Sequence, residues 1–96
     1  MKVRLARAAR LDLEDIWTYS AGQWGDAQAD AYIEKLVLRV IWLTRNRGLW
    51  HARPDIAEGV YSFAESSHVF YFCEDDDALG ILRILHGRME PQGRVD

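Results

Sequence analysis

Arg83, His86 and Arg88 form the tightest group of residues in this chain that could do acid–base or phosphate chemistry. Cleaving RNA through its 2′-hydroxyl takes a base, an acid and cations that neutralise charge on the reacting phosphate. Histidine is the side chain whose ordinary titration falls near neutrality, which suits His86 to proton transfer. The two arginines suit the phosphate, and Tyr61 and His68 are the nearest further candidates on neighbouring strands. A plainer reading stands beside each role. His86 can end a strand and bond the tail, and Arg83 can sit in a structural ion pair, because an unpaired buried cation is costly. Arg88 and Met89 lie beyond the strand, where a tail can touch a target.

Other chemistry is poorly supported. His51, His68, Cys73 and His86 share no zinc-type spacing, so no metal or cofactor is expected. Cys73 precedes Glu74-Asp75-Asp76-Asp77, and neighbouring carboxylates disfavour a thiolate, so an ordinary thiol is expected. The acidic run itself reads as a solvated hairpin turn. No glycine-rich phosphate loop is present, and no Ser/His/Asp arrangement stands out by spacing.

These residues need elements to position them, and 96 residues allow one domain, 1–96. Hydrophobic residues make up 49%, with four Trp, four Tyr and three Phe, enough for one modest core. No apolar run reaches the ~20 residues of a membrane helix, so no membrane partner is expected. The start, Met1-Lys2-Val3-Arg4-Leu5, lacks the apolar stretch of a secretory signal. With a single cysteine, a cytoplasmic location is expected.

Val3 and Leu5 alternate with Lys2 and Arg4 as a short strand. From about Ala8 to Gly22 the period is helical, with Ala9, Leu13, Ile16, Trp17 and Ser20 on one face. Asp12, Glu14, Asp15 and Thr18 are placed elsewhere. Asp26 is expected to cap a second helix running from about Ala27 to Asn46 and stopping at Gly48. Such closely spaced helices form an antiparallel hairpin. Strands are expected over Val60–Phe63, His68–Cys73 and Leu79–Leu85. The order is β-α-α-β-β-β, an α+β fold with the helical hairpin packed on one face of a mainly antiparallel sheet.

Net charge is only −3, against general nucleic-acid binding, but charge comes in blocks. Residues 12–34 hold six acids and no base, 35–53 five bases and no acid, and 55–77 seven acids without Lys or Arg. Blocks of this kind suggest a polarised surface able to steer a charged partner.

Several local patterns resemble the ParE branch of the ParE/RelE superfamily, the toxins of bacterial toxin–antitoxin pairs. They are Ala8-Ala9 with Asp12 through Ser20; Gln23-Trp24-Gly25 with Ala27-Gln28-Ala29 and Tyr32; Ser67-His68-Val69 with Tyr71; and Ile81-Leu82-Arg83-Ile84-Leu85-His86-Gly87-Arg88-Met89-Glu90. They follow the family's order and span nearly the whole chain. The resemblance implies a non-enzymatic toxin that inhibits DNA gyrase by binding and is neutralised by an adjacently encoded ParD-like antitoxin. A hetero-oligomeric complex would reach operator DNA only through the antitoxin. Arg83, His86, Arg88 and Met89 would then form a target-binding tail. The alternatives are a RelE-like ribosome-dependent mRNA endoribonuclease, using His86 or Tyr61 as base, and a degenerate toxin that only binds its antitoxin.

Departures from the family pattern bear on that choice. Ala6 stands where a capping Ser or Thr is common, and Asn46 through His51 replaces the usual loop. Tyr61 and Cys73 stand where arginines are common, which weighs against phosphate chemistry. In the second helix, Ala29, Tyr32, Ile33, Leu36, Val40 and Leu43 make a core stripe, yet Val37, Leu38, Ile41 and Trp42 cover much of the other side. A helix apolar all round must be covered on both sides. With one core available, Leu38, Ile41 and Trp42, with Trp50 nearby, are expected to meet an antitoxin or a second copy. Alternatively, the loop carrying Leu49 and Trp50 folds back over them.

Overall fold

A computed structural model describes residues 1–95 of the chain. Its elements run β1 (Lys2–Leu5), α1 (Arg7–Trp24), α2 (Asp26–Leu43), a 3-10 turn (Arg47–Leu49), β2 (His51–Ala52), β3 (Tyr61–Glu65), β4 (His68–Asp75) and β5 (Ala78–His86). The five strands form one sheet in the order β1-β5-β4-β3-β2. All neighbouring strands are antiparallel except β1 and β5, which run parallel from Lys2↔Ala78 to Leu5↔Ile81. The α+β architecture expected from the sequence is therefore present, with the two-residue strand β2 added at one edge. Among the described residues no helix is long and apolar enough to cross a membrane.

Glycine sets the corner between the helices. Gly25 adopts φ +92°, a conformation L side chains avoid. Its amide closes α1 on the Ala21 carbonyl at 2.9 Å, and its own carbonyl accepts the Ala29 amide at 3.1 Å to open α2. Gly25, rather than Asp26, is the residue before the helix, and Asp26 sits in the first turn without capping through its side chain. Helix α1 also runs through Gly22 to Trp24, because an isolated helical glycine costs only about 1 kcal/mol against alanine. The 74–77 turn is tighter than the acidic run suggests. Strand β4 continues to Asp75, which pairs with Ala78, leaving Asp76 and Asp77 as a two-residue loop. Both have positive φ, 47° and 61°, as a type I′ hairpin requires.

The main core lies between the helical hairpin and one face of the sheet. Ile16 of α1 and Leu36, Val40 and Leu43 of α2 meet Phe70, Phe72, Leu79, Ile81 and Ile84. Phe70, Phe72, Leu36, Leu43, Leu79 and Ile81 are fully buried, each contributing about 2 kcal/mol in burial. Leu79 and Ile81 share this face with Ile84 despite the change of parity. The register slips between Tyr71 and Phe72, so Phe72 pairs with Ile81 and Tyr71 with Arg83, leaving Leu82 as the extra residue.

The expectation of a single core needs correction. Val60, Tyr71, Leu85 and Val95 form a second buried cluster, joined by Ile56, Ala57, Val69 and Leu82. The loop before β3 and the C-terminal tail thereby cover the reverse face of the sheet. Asp12 also needs reassignment. It lies three residues after Ala9 and four before Ile16, on the core-facing side of α1, where a carboxylate needs a partner.

Candidate functional site

Arg83 supplies that partner. Its Nε donates to Asp12 Oδ2 at 2.8 Å and its Nη2 to Asp12 Oδ1 at 2.9 Å, a bidentate pair joining β5 to α1. The Ile84 amide donates to the same Oδ2 at 2.9 Å, and Arg83 Nη1 donates to the Arg94 carbonyl at 3.0 Å. One guanidinium thus ties helix, sheet and tail together. Helical spacing points to Asp12 as the partner, since it lies between Ala9 and Ile16 on the buried side of α1.

His86 ends β5, where its Nδ1 accepts the Arg88 amide at 3.2 Å and the Met89 amide donates to its carbonyl at 2.9 Å. Its ring meets His68 edge to face with centroids 5.6 Å apart, since the two residues are register partners. His68 Nδ1 lies 2.6 Å from the Tyr32 hydroxyl on α2. Burial, then the neighbouring His86, pushes the His68 pKa down, while burial pushes the Tyr32 phenol up. Both directions favour the uncharged forms, so the bond joins a neutral phenol to a neutral imidazole, and the imidazole tautomer sets which of the two donates. Burial, followed by Asp75, likewise pushes the Cys73 thiol up.

Tyr61 stands apart from this group. It pairs with Phe72 and stacks on it at 6.0 Å, whereas His86 pairs with His68, whose other neighbour is Glu65. Four residues of β3 separate the two registers, roughly 13 Å. The structure therefore brings His68, not Tyr61, beside His86. Arg88 and Met89 are exposed on the tail and line a groove of about 530 Å³ on the reverse face, with His51, Arg53 and Tyr71.

The apolar residues of α2 divide. Leu38 and Ile41 are 57% and 46% exposed. Trp42 is half-buried, its ring 5.5 Å from Phe63 and covered by the Arg39 guanidinium at 4.5 Å. Arg39 in turn donates to Glu65 at 2.6 Å, which holds the Glu65 carboxyl below its ordinary range. Trp50 faces inward. Its ring packs on Tyr61 and Phe72, and its Nε1 donates to the Leu43 carbonyl at 2.9 Å, satisfying the end of α2. Leu49 stays exposed, so the loop leaves Leu38 and Ile41 uncovered. Leu38, Trp42, Lys35, Arg39 and Glu65 line a groove of about 420 Å³ along this face.

A sequence model of the family described as "ParE toxin of type II toxin-antitoxin system, parDE" matches residues 3–91. The chain belongs to the ParE toxin family. Toxin ParE1 of Caulobacter vibrioides is 32% identical over 92 residues, covering 96% of this chain and 95% of that protein. Toxin ParE1 of Mycobacterium tuberculosis is 30% identical over 87 residues, covering 90% and 89%. The fold also matches a solved structure titled "Chromosomal ParDE TA system from P. aeruginosa", with a TM-score of 0.76 and 23% identity, over 90% of this chain and 95% of that one. In this ParE toxin the Arg83–Asp12 clamp ties the first of the stretches that resemble the family to the closing one.

Proposed function

We propose that this ParE-family toxin acts by binding DNA gyrase rather than by cutting RNA, and that a ParD-like antitoxin neutralises it. The observation that carries the reading is the Arg83 clamp. A guanidinium whose fork is filled by Asp12 and whose remaining nitrogen serves Arg94 has little left for a reacting phosphate. His86 Nδ1 is engaged by the tail, and Tyr61 lies in another register. The titles of relatives that name ParE and the ParDE pair support an antitoxin partner.

The antitoxin is taken to cover Leu38 and Ile41 along the α2 groove, with Trp42 as the apolar floor. The tail from His86 through Met89, exposed at Arg88 and Met89, is the surface offered to the target. Paired assays test the choice of activity. Purified protein should bind immobilised gyrase and leave ribosome-bound mRNA intact. Ribosome-dependent cleavage that disappears in His86→Ala would replace this reading with a nuclease.

A further inference from the structure

We propose that the tip of the α1–α2 hairpin is a docking surface for an arginine- and lysine-rich segment of a partner protein, gripped by Tyr19 and Trp24. The two rings meet edge to face, 6.4 Å between centroids and 82° between planes, the geometry their quadrupoles favour. They are nevertheless 65% and 64% exposed, more than any other large hydrophobic side chain among the described residues. Neither belongs to either core cluster. A preordered aromatic pair left in water is the kind of anchor that interfaces use. Trp24 is the last residue of α1, and Gly25 turns the chain away at once, so the ring stands at the corner of the hairpin.

Charge identifies the occupant. The tip lies within residues 12–34, which hold six acids and no base. Asp12 and Asp30 are used internally, by Arg83 and by the Trp17 indole at 2.8 Å. Glu14, Asp15, Asp26 and Glu34 are exposed and have no cation within ion-pair distance among the described residues. Asp15 precedes Tyr19 by four residues, on the same face of α1, and Leu11 extends that face as a further exposed apolar residue. Asp26 follows Trp24 by two residues across the corner. A guanidinium laid on either ring gains a cation–π contact while its N–H groups reach a carboxylate. The α2 face around Leu38 differs in character: its two cations, Lys35 and Arg39, both pair with Glu65, and Glu34 adds a second acid, so its charge is balanced.

An NMR titration of the full ¹⁵N-labelled chain with an alternating arginine–serine dodecapeptide tests the proposal. The four tryptophans give four indole N–H signals, and Trp24→Phe assigns the relevant one. The expected result is saturable shifts at the Trp24 indole and at the Tyr19, Asp15 and Asp26 amides, with the Trp42 and Trp50 indoles unmoved. A lysine–serine peptide should bind several-fold more weakly, since guanidinium stacks on aromatic faces better than ammonium. The double variant Tyr19→Ser, Trp24→Ser should keep its fold and lose affinity at least tenfold. Non-saturating shifts, shifts centred on the Asp76–Asp77 turn, or unchanged affinity in the double variant would each overturn the proposal. Self-association without peptide that the double variant abolishes, seen by sedimentation, would assign the tip to a second copy instead.

Discussion

Asp12 and Arg83, seventy-one residues apart in the chain, hold each other by two hydrogen bonds of 2.8 and 2.9 Å between α1 and β5. The pair sits beside the register slip, where Arg83 faces Tyr71 and Leu82 is the extra residue. Because Asp12 also accepts the Ile84 amide, it supplies a backbone partner where the strand is irregular. The clamp is therefore a structural joint first, and what it does to function follows from the arginine it occupies.

Removing one partner should cost more than the pair is worth. Asp12→Ala leaves a guanidinium and the Ile84 amide unsatisfied, and the expected loss is about 2–3 kcal/mol. Arg83→Ala should cost a similar amount, and the double variant less than the sum of the two. Urea denaturation of the three variants measures this, and strictly additive losses would contradict the joint.

Acid should loosen the fold in two steps. The folded-state pKa of His68 lies below the ordinary 6.5, so the unfolded chain binds the proton more readily. Its contribution is present above about 6.5 and is lost as pH falls from there through the folded pKa. Glu65, depressed by Arg39, keeps its contribution above the ordinary carboxylate value of 4.5 and loses it as pH falls through the folded one. The denaturation midpoint should therefore be lower at pH 5 than at pH 7.5 and fall further below pH 4.5. Tyr32→Phe should lower stability at pH 7.5 by about 1 kcal/mol, because the His68 Nδ1 loses its hydrogen-bond partner.

Much of this was legible in the sequence. Periodicity marked both helices, and the apolar runs marked β4 and β5, because those two strands are covered on both faces. The parallel pairing of β1 with β5 was not legible, since Val3 and Leu5 fit either edge of a sheet. Nor was β2, whose two residues are too few to show a period. The Leu82 bulge hid because Leu-Gly-Ile-Leu-Arg-Ile-Leu is apolar in either register. The second cluster was missed because Val60, Leu85 and Val95 come from three segments that only the tail brings together. At the candidate site, Arg83 in an apolar strand calls for an acid, and Asp12 meets it because it lies on the buried side of α1 rather than with Glu14 and Asp15.

The antitoxin face can be tested without disturbing the core. Leu38→Asp and Ile41→Asp alter exposed side chains, so stability should change by less than about 0.5 kcal/mol. Affinity for the adjacently encoded antitoxin should fall at least tenfold by calorimetry. Unchanged affinity would move the antitoxin elsewhere. Trp42→Asp is a poorer test, because that ring also packs on Phe63.

Trp50 should report on stability rather than binding. Trp50→Ala opens a cavity over Tyr61 and Phe72 and is expected to cost about 3 kcal/mol. Trp50→Phe keeps most of the packing but loses the bond to the Leu43 carbonyl, about 1 kcal/mol. Under conditions where it is folded, Trp50→Phe should bind antitoxin as the unaltered chain does.

The most direct measurement is gyrase supercoiling of relaxed plasmid with the purified toxin, repeated after adding the product of the adjacent gene. The account predicts inhibition with accumulation of cleaved DNA, reversed by an equimolar amount of antitoxin and unaffected by removal of ribosomes. Undiminished supercoiling in the presence of excess folded toxin would contradict it.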